Sequence, residues 1–265
     1  MTPESLSAAG VKRAASIGAA GVCIGLGAVA GSEADVVRAF DLREVASRFE
    51  DEGIAVPVAW AGHHGDALHR GLPGGAAERT HLWKSVEAMA EAGVMVLLFY
   101  NKASRPEDPD EIELAFEQTV RFCAELAAHA ADHGVKIACH PWMSKPGLIH
   151  GFDRLIELCG RIEQEEFGIC YCPGAHLAGD DMDAVRDALL PRIHFAHLRD
   201  HVGDYHAFTE VFPGTGEVGV AGLLRRLRDA GYRGLICPEH WGDAEPGRDI
   251  EAECVAYMQR RLTEP

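Results

Sequence analysis

Short apolar runs recur along the chain, and a longer stretch of helical periodicity follows each. The runs are GVCIGL (21–26), IAVPVAW (54–60), VMVLLFY (94–100), VKIACH (135–140), FGICYC (167–172), IHFAHL (193–198) and GLICPEH (234–240). They are apolar on both faces, as parallel strands are when helices cover them. Helical patterns such as DVVRAFDLREVASRFEDEG (35–53), HLWKSVEAMAEAGV (81–94) and DEIELAFEQTVRFCAELAAHAADHGV (110–135) separate them. Each pattern reaches a glycine just before the next run, a helix C-terminal signal. Strand and helix alternating at this spacing predict βαβ units.

Seven strands are counted where a closed (β/α)8 barrel needs eight. The chain opens on the helix-like TPESLSAAGVKRAASIG, where a first strand would already have passed. The expected fold is an α/β, TIM-type barrel, incomplete, with its first strand missing or reorganised. No linker or low-complexity segment divides residues 1–265, so one domain is expected. A doubly wound open sheet is the alternative, but no GxGxxG follows the first strand. Residues 14–32 are uncharged and follow Lys12 and Arg13, in the manner of a signal peptide. Their Ala and Gly content, with few large apolar side chains, favours a helix end followed by a strand.

Composition narrows the function. A 265-residue chain with 47% hydrophobic residues supports one large core. The net charge of −16, from 41 acidic against 25 basic residues, repels phosphate backbones and argues against nucleic acid. No polybasic cluster addresses an anionic membrane surface. The eight cysteines include no CxxC pair and several lie in strand-like runs, so reduced thiols in a cytoplasm are expected. The acidic RPEDPDEIE (105–113) reads as a loop and the negative first turn of a helix.

Catalytic groups of a barrel gather at the carboxyl ends of its strands. Four consecutive candidates finish on His140, Cys172, His197 and Glu239. Two imidazoles, a thiolate and a carboxylate are ligand types for Mn²⁺, Fe²⁺, Co²⁺ or Zn²⁺. Taken singly, each is as easily a hydrogen-bonded structural residue or a piece of core; four at equivalent positions suggest a metal site. His194 precedes His197 by three residues, so it points to the opposite face and reads as structural. Trp60, His63 and His64 end the second run, as pocket wall or as loop.

The segments VKIACHPW, ICYCPGAHL, IHFAHLRD and CPEHWGD resemble the metal-site motifs of D-mannonate dehydratases, in the xylose isomerase-like TIM-barrel superfamily. GLPGGAAERTHLWKSVEAMAEAGVMVLLFYN (71–101) is similar to that family's approach to a strand ending in Tyr-Asn. The resemblance implies Mn²⁺ held by His140, Cys172, His197 and Glu239, the last being Asp in the family. It implies catalytic roles for His240 and Arg199, and places Glu210 near a family Phe-His-Glu segment. Tyr100, Asn101 and His176 are the remaining candidates for contact with substrate. Two departures stand out. The family's first histidine is followed by Pro-Asp-Asp, but here by Pro141, Trp142 and Met143. The chain is also shorter than typical members.

The activity so implied is a metal-dependent dehydration of a sugar acid or similar small polyhydroxy acid. His240 is then either the proton-transferring group or the residue that orients Glu239. Arg199 either clamps a substrate carboxylate or pairs with Asp200 or Glu210. A sugar isomerase or epimerase using the same metal is the runner-up, strengthened by the lost Pro-Asp-Asp. A non-catalytic barrel binding metal or sugar is a third reading. The apolar helices could also hide a homo-oligomer face.

Overall fold

The computed structural model describes residues 3–31, 36–141, 147–175, 181–203, 209–239 and 248–264. The strands are β1 (Gly21–Gly25), β2 (Ala55–His64), β3 (Val96–Asn101), β4 (Lys136–Pro141), β5 (Phe167–Tyr171), β6 (Ile193–Leu198), β7 (Asp200–Val202), β8 (Thr209–Val211) and β9 (Ile236–Pro238). The helices are α1 (Ala8–Ser16), α2 (Leu26–Ala30), α3 (Ala39–Glu50), α4 (Asp66–His69), α5 (Gly75–Ala92), α6 (Pro109–Asp132), α7 (Phe152–Gly160), α8 (Met182–Leu189), α9 (Val220–Asp229) and α10 (Ile250–Thr263). Seven strands form one parallel sheet in the order β1-β2-β3-β4-β5-β6-β9, while β7 and β8 make a separate antiparallel hairpin. These are the seven expected strands, and the chain before β1 is helical.

The sheet curls into a nearly closed barrel. Among the described residues no ladder joins β9 to β1, yet the two ends meet: a Cβ on Gly21 would stand 3.0 Å from Leu235 Cδ1. Outside that seam Arg13 pairs with Asp249, and Gln259 Nε2 donates to the Gly18 carbonyl at 2.6 Å, tying the first and last helical segments together. Among the described residues no helix is long and apolar enough to cross a membrane.

Strand parity sorts the core into two layers. Val58, Leu98, Ala138, Cys170 and Phe195 form a buried cluster inside the barrel, with Cys23 and Cys237 packed against it. Each of the seven barrel strands thus contributes one side chain to a floor. Alternate residues such as Leu97, Phe99, Ile137, Cys139 and Ile169 join the larger outer cluster beneath the helices. All eight cysteines are thiols, none in a disulfide.

The helix boundaries follow local chemistry. Asp108 caps α6 by accepting from the Asp110 amide, with Pro109 opening the helix and Asp110 and Glu111 in its first turn. Gly53, Gly93 and Gly134, which precede the second, third and fourth strands, all have positive φ, as the terminal glycines require. The stretch 14–32 divides among the end of α1, β1 and α2; its last helix was not expected. β2 runs past Trp60 to His64, with a register shift between Trp60 and His63.

Candidate metal centre

Two residues beyond the barrel floor, every barrel strand except β1, which has Gly25 there, raises a second inward side chain. Trp60, Tyr100, His140, Cys172, His197 and Glu239 follow Val58, Leu98, Ala138, Cys170, Phe195 and Cys237 at this spacing. The period of two therefore carries the apolar floor directly into a polar mouth. Glu239 lies just past β9, but its amide still donates to the Leu198 carbonyl at 2.8 Å, which keeps it in strand register.

Ligand atoms of His140, Cys172 and Glu239 lie within 4.8 Å of one another, all three residues buried. Cys172 Sγ donates to Glu239 Oε2 at 3.3 Å. His197 Nδ1 stands 3.6 Å from the same carboxylate. His140, Cys170 and His197 form a second, overlapping group within 4.8 Å. The four residues read from the strand ends are thus brought together. Cys170 adds a donor that inspection of strand ends alone passed over. Its signal was present in ICYC: residues two apart on a strand share a face.

The electrostatics suit a cation. Burial opposes ionisation of Glu239, but the His197 and His140 imidazoles, the Arg199 guanidinium and the Cys172 thiol hydrogen bond outweigh it and hold the carboxyl down at about 2. Burial lowers His197, with Arg199 adding to the effect and Glu239 opposing it. Burial raises the Cys170 thiol well above its ordinary value. An ionised carboxylate, imidazoles and thiols converging from separate strands fit a divalent transition ion.

Aromatic side chains wall the mouth. Tyr100 stacks on His140, with ring centroids 4.1 Å apart at 19°. Its hydroxyl donates to Glu239 Oε1 at 3.2 Å and lies 3.5 Å from His197 Nδ1. Burial drives the Tyr100 phenol far above its ordinary value, so it stays protonated and donates. His63 and Trp60 pack at 4.9 and 6.2 Å from the Tyr100 ring. His63 and Trp60 therefore belong to the wall.

Arg199 Nε lies 3.0 Å from Glu210 Oε2, and its Nη2 lies 3.3 Å from Glu239 Oε1. The hairpin of β7 and β8 delivers Glu210 to this position, opposite His201 in register. Asp200 is not the partner. Its buried carboxylate accepts from the amides of His201, Gly214, Gly216 and Val218, and so anchors the loop that follows β8. Gly174 lets the turn after Cys172 approach Arg199: a Cβ there would meet Arg199 Cβ at 2.6 Å.

Asn101 is placed elsewhere. Its strand parity is that of Leu97 and Phe99, and its Oδ1 accepts from the Ala103 amide at 3.0 Å. It is the last residue of β3, on the face opposite Tyr100, and its side chain holds the turn that follows rather than joining the ring of candidate ligands. His194 Nε2 lies 3.1 Å from the Glu165 carbonyl, away from the mouth as its parity requires. His176 and His240 lie outside the described residues.

Compared with known proteins, residues 11–260 match the family model described as xylose isomerase-like TIM barrel. The chain belongs to this family. A curated relative, the mannonate dehydratase of Oceanobacillus iheyensis, is 29% identical over 130 residues, covering 43% of this chain and 37% of that protein. The matched part therefore spans little more than a third of the relative's length. The crystal structure of mannonate dehydratase from Streptococcus suis superimposes with a TM-score of 0.70 at 20% identity, covering 86% of this chain and 83% of that one. The apo 3-keto-D-glucoside 4-epimerase of E. coli gives a TM-score of 0.78 at 16% identity, over 98% and 96%. A xylose isomerase-like TIM barrel protein from Mycobacterium smegmatis, in complex with magnesium, gives 0.66 at 17%, over 97% and 88%.

Proposed function

We propose that this chain is a divalent-metal-dependent lyase that dehydrates a sugar acid in the manner of mannonate dehydratases. The observation that carries the reading is the convergence of His140, Cys172 and Glu239, with His197 beside them, at the carboxyl end of the barrel. A bound divalent ion would supply Lewis-acid stabilisation of negative charge on a substrate oxygen. Mn²⁺ is the proposed ion, with Fe²⁺, Co²⁺ and Zn²⁺ as its competitors for a set containing carboxylate, imidazole and thiolate. A cytoplasm would keep the thiols reduced.

The chain's own residues have definable tasks. Dehydration breaks a C–H bond α to a carboxylate and a C–O bond at the β carbon, and releases water. His240, next to Glu239 in sequence, is the proposed proton carrier. Arg199, already spanning Glu210 and Glu239, acts mainly by holding Glu239 in place. Tyr100 donates to Glu239 and walls the pocket on the His140 side. His176, from the turn after Cys172, is a proposed substrate contact.

An isomerase or epimerase is the second reading. The sequence His140-Pro141-Trp142-Met143 lacks the Asp pair that follows the first histidine in mannonate dehydratases. One experiment separates the two. Purified protein and Cys172→Ser are analysed for metal, and the loaded protein is incubated with D-mannonate and other sugar acids. The lyase reading expects about one equivalent of metal, lost in the variant, and a product lighter by one water. A product of unchanged mass supports the isomerase. A protein that binds no metal after reconstitution sinks both.

A further inference from the structure

The helical shell carries a second group of metal-ligating side chains, far along the chain fold from the mouth. His129 and His133 stand one turn apart at the end of α6, with ring centroids 4.7 Å apart. Glu87 of α5 faces them, its Oε1 3.7 Å from His129 Nε2. One ligand atom from each of the three lies within 4.8 Å of the others, with both histidines half-buried and Glu87 exposed. α6 leads into β4, so its end faces the amino ends of the strands, opposite the mouth built from their carboxyl ends.

Three features favour a cation here. Histidines at positions i and i+4 share one helix face and can converge on one ion. The end of α6 presents carbonyls and the negative pole of the helix. The His129 ring is already fixed: it stacks on Trp83 at 5.6 Å and 23°, and its Nε2 lies 3.2 Å from the Trp83 carbonyl. That same Nε2 faces Glu87 Oε1 at 3.7 Å, so the ion would take it in place of the Trp83 carbonyl while the stack on Trp83 keeps the ring oriented. The Trp83 ring is in turn covered by the Arg79 guanidinium at 4.2 Å.

The geometry points to a peripheral site for a borderline transition ion, Zn²⁺ being the best match, held by Glu87, His129 and His133 and bridging α5 to α6. Two imidazoles and one carboxylate, with a water completing four-coordination, suit Zn²⁺ and disfavour Mg²⁺. Glu87 and the histidines come from neighbouring helices, so the ion would clamp the shell and raise thermal stability by linkage. Nothing in this inference depends on the chemistry of the mouth.

The test is equilibrium dialysis and thermal unfolding of the untagged chain with ZnCl₂, and with MgCl₂ as control. The variants are His133→Gln and Cys172→Ser, singly and combined. His133→Gln leaves the Trp83 stack on His129 untouched and should fold as the parent. The expected result is one equivalent of Zn²⁺ lost, or weakened at least tenfold, in His133→Gln whether or not Cys172 is present. The Zn²⁺-induced rise in Tm should shrink with it, and Mg²⁺ should reproduce neither effect. Unchanged Zn²⁺ stoichiometry and affinity in His133→Gln overturn the proposal, and so does a Zn²⁺ equivalent lost only with Cys172→Ser.

Discussion

The Tyr100 hydroxyl reaches across the barrel mouth to Glu239 Oε1, 3.2 Å away and 139 residues distant in sequence. It joins the end of β3 to the end of β9, and the same ring stacks on His140 of β4. One tyrosine therefore orients two proposed ligands. Tyr100→Phe keeps the stack and removes the hydrogen bond. Activity should fall about 10- to 100-fold, as for loss of a group that orients a metal ligand. Metal stoichiometry should hold, and the Tm should fall only slightly. Full activity in the variant, measured as kcat/KM, would refute the orienting role.

Arg199 is the cation between the buried Glu239 carboxylate and the half-buried Glu210 carboxylate. Arg199→Met leaves both without their positive neighbour. Breaking a buried pair from one side costs about 3 kcal/mol. Arg199 retains some exposure, so about 2 kcal/mol is the expected loss in a denaturant titration. Glu210→Gln combined with Arg199→Met should be less damaging than the sum of the single changes. Strict additivity in that cycle would deny the pairing.

Asn101→Ala tests the placement of that residue. The change removes the acceptor for the Ala103 amide in a fully buried turn. Stability should fall by about 1–2 kcal/mol through the unsatisfied amide. KM for the substrate should stay within twofold of the parent. A large rise in KM with unchanged stability would return Asn101 to the pocket.

Two histidines away from the mouth make stability depend on pH. Burial lowers His69 to about 3, among Phe99 and Phe122, and lowers His194 to about 4, with the nearby Lys136 adding to the effect. In the unfolded chain each binds its proton near the ordinary value of about 6.5. Between the folded and unfolded values the unfolded chain holds more protons, so stability rises with pH in that window. It is lost as pH falls from about 6.5 toward 4, by about 1.5 kcal/mol per histidine on reaching pH 5. Denaturant midpoints at pH 7 and pH 5 should differ accordingly, and His194→Gln should flatten the slope. An unaltered slope in that variant would exclude His194 as a source.

The barrel was legible because its signals are local. FGICYC and IHFAHL are apolar on both faces, as only strands covered on both sides can be. Gly53, Gly93 and Gly134 mark where helices end because the left-handed conformation excludes most other residues. His140, Cys172, His197 and Glu239 could be read as a group because each closes a strand, and parallel strands bring their carboxyl ends to one side. Asn101 parts from Tyr100 for the same kind of reason: it follows directly in the chain, but strand parity sends neighbours to opposite faces. Cys170 and the Tyr100 hydrogen bond were passed over because they depend on how far each strand has advanced relative to its neighbour.

By itself the sequence determined the seven barrel strands, the βαβ order, the helix ends and the side-chain types at the strand tips, but not the β7–β8 hairpin. Periodicity and backbone sterics act within a few residues and leave their mark in the letters. The tertiary structure alone decided that Arg199 meets Glu210 and Glu239 rather than Asp200. It also decided that Cys170 meets His140 and His197, and that Glu87 crosses from α5 to the histidines at the end of α6. Those pairings depend on sheet register, the curl of the barrel and helix packing. These are set by the whole core closing at once, and no short stretch of chain encodes them.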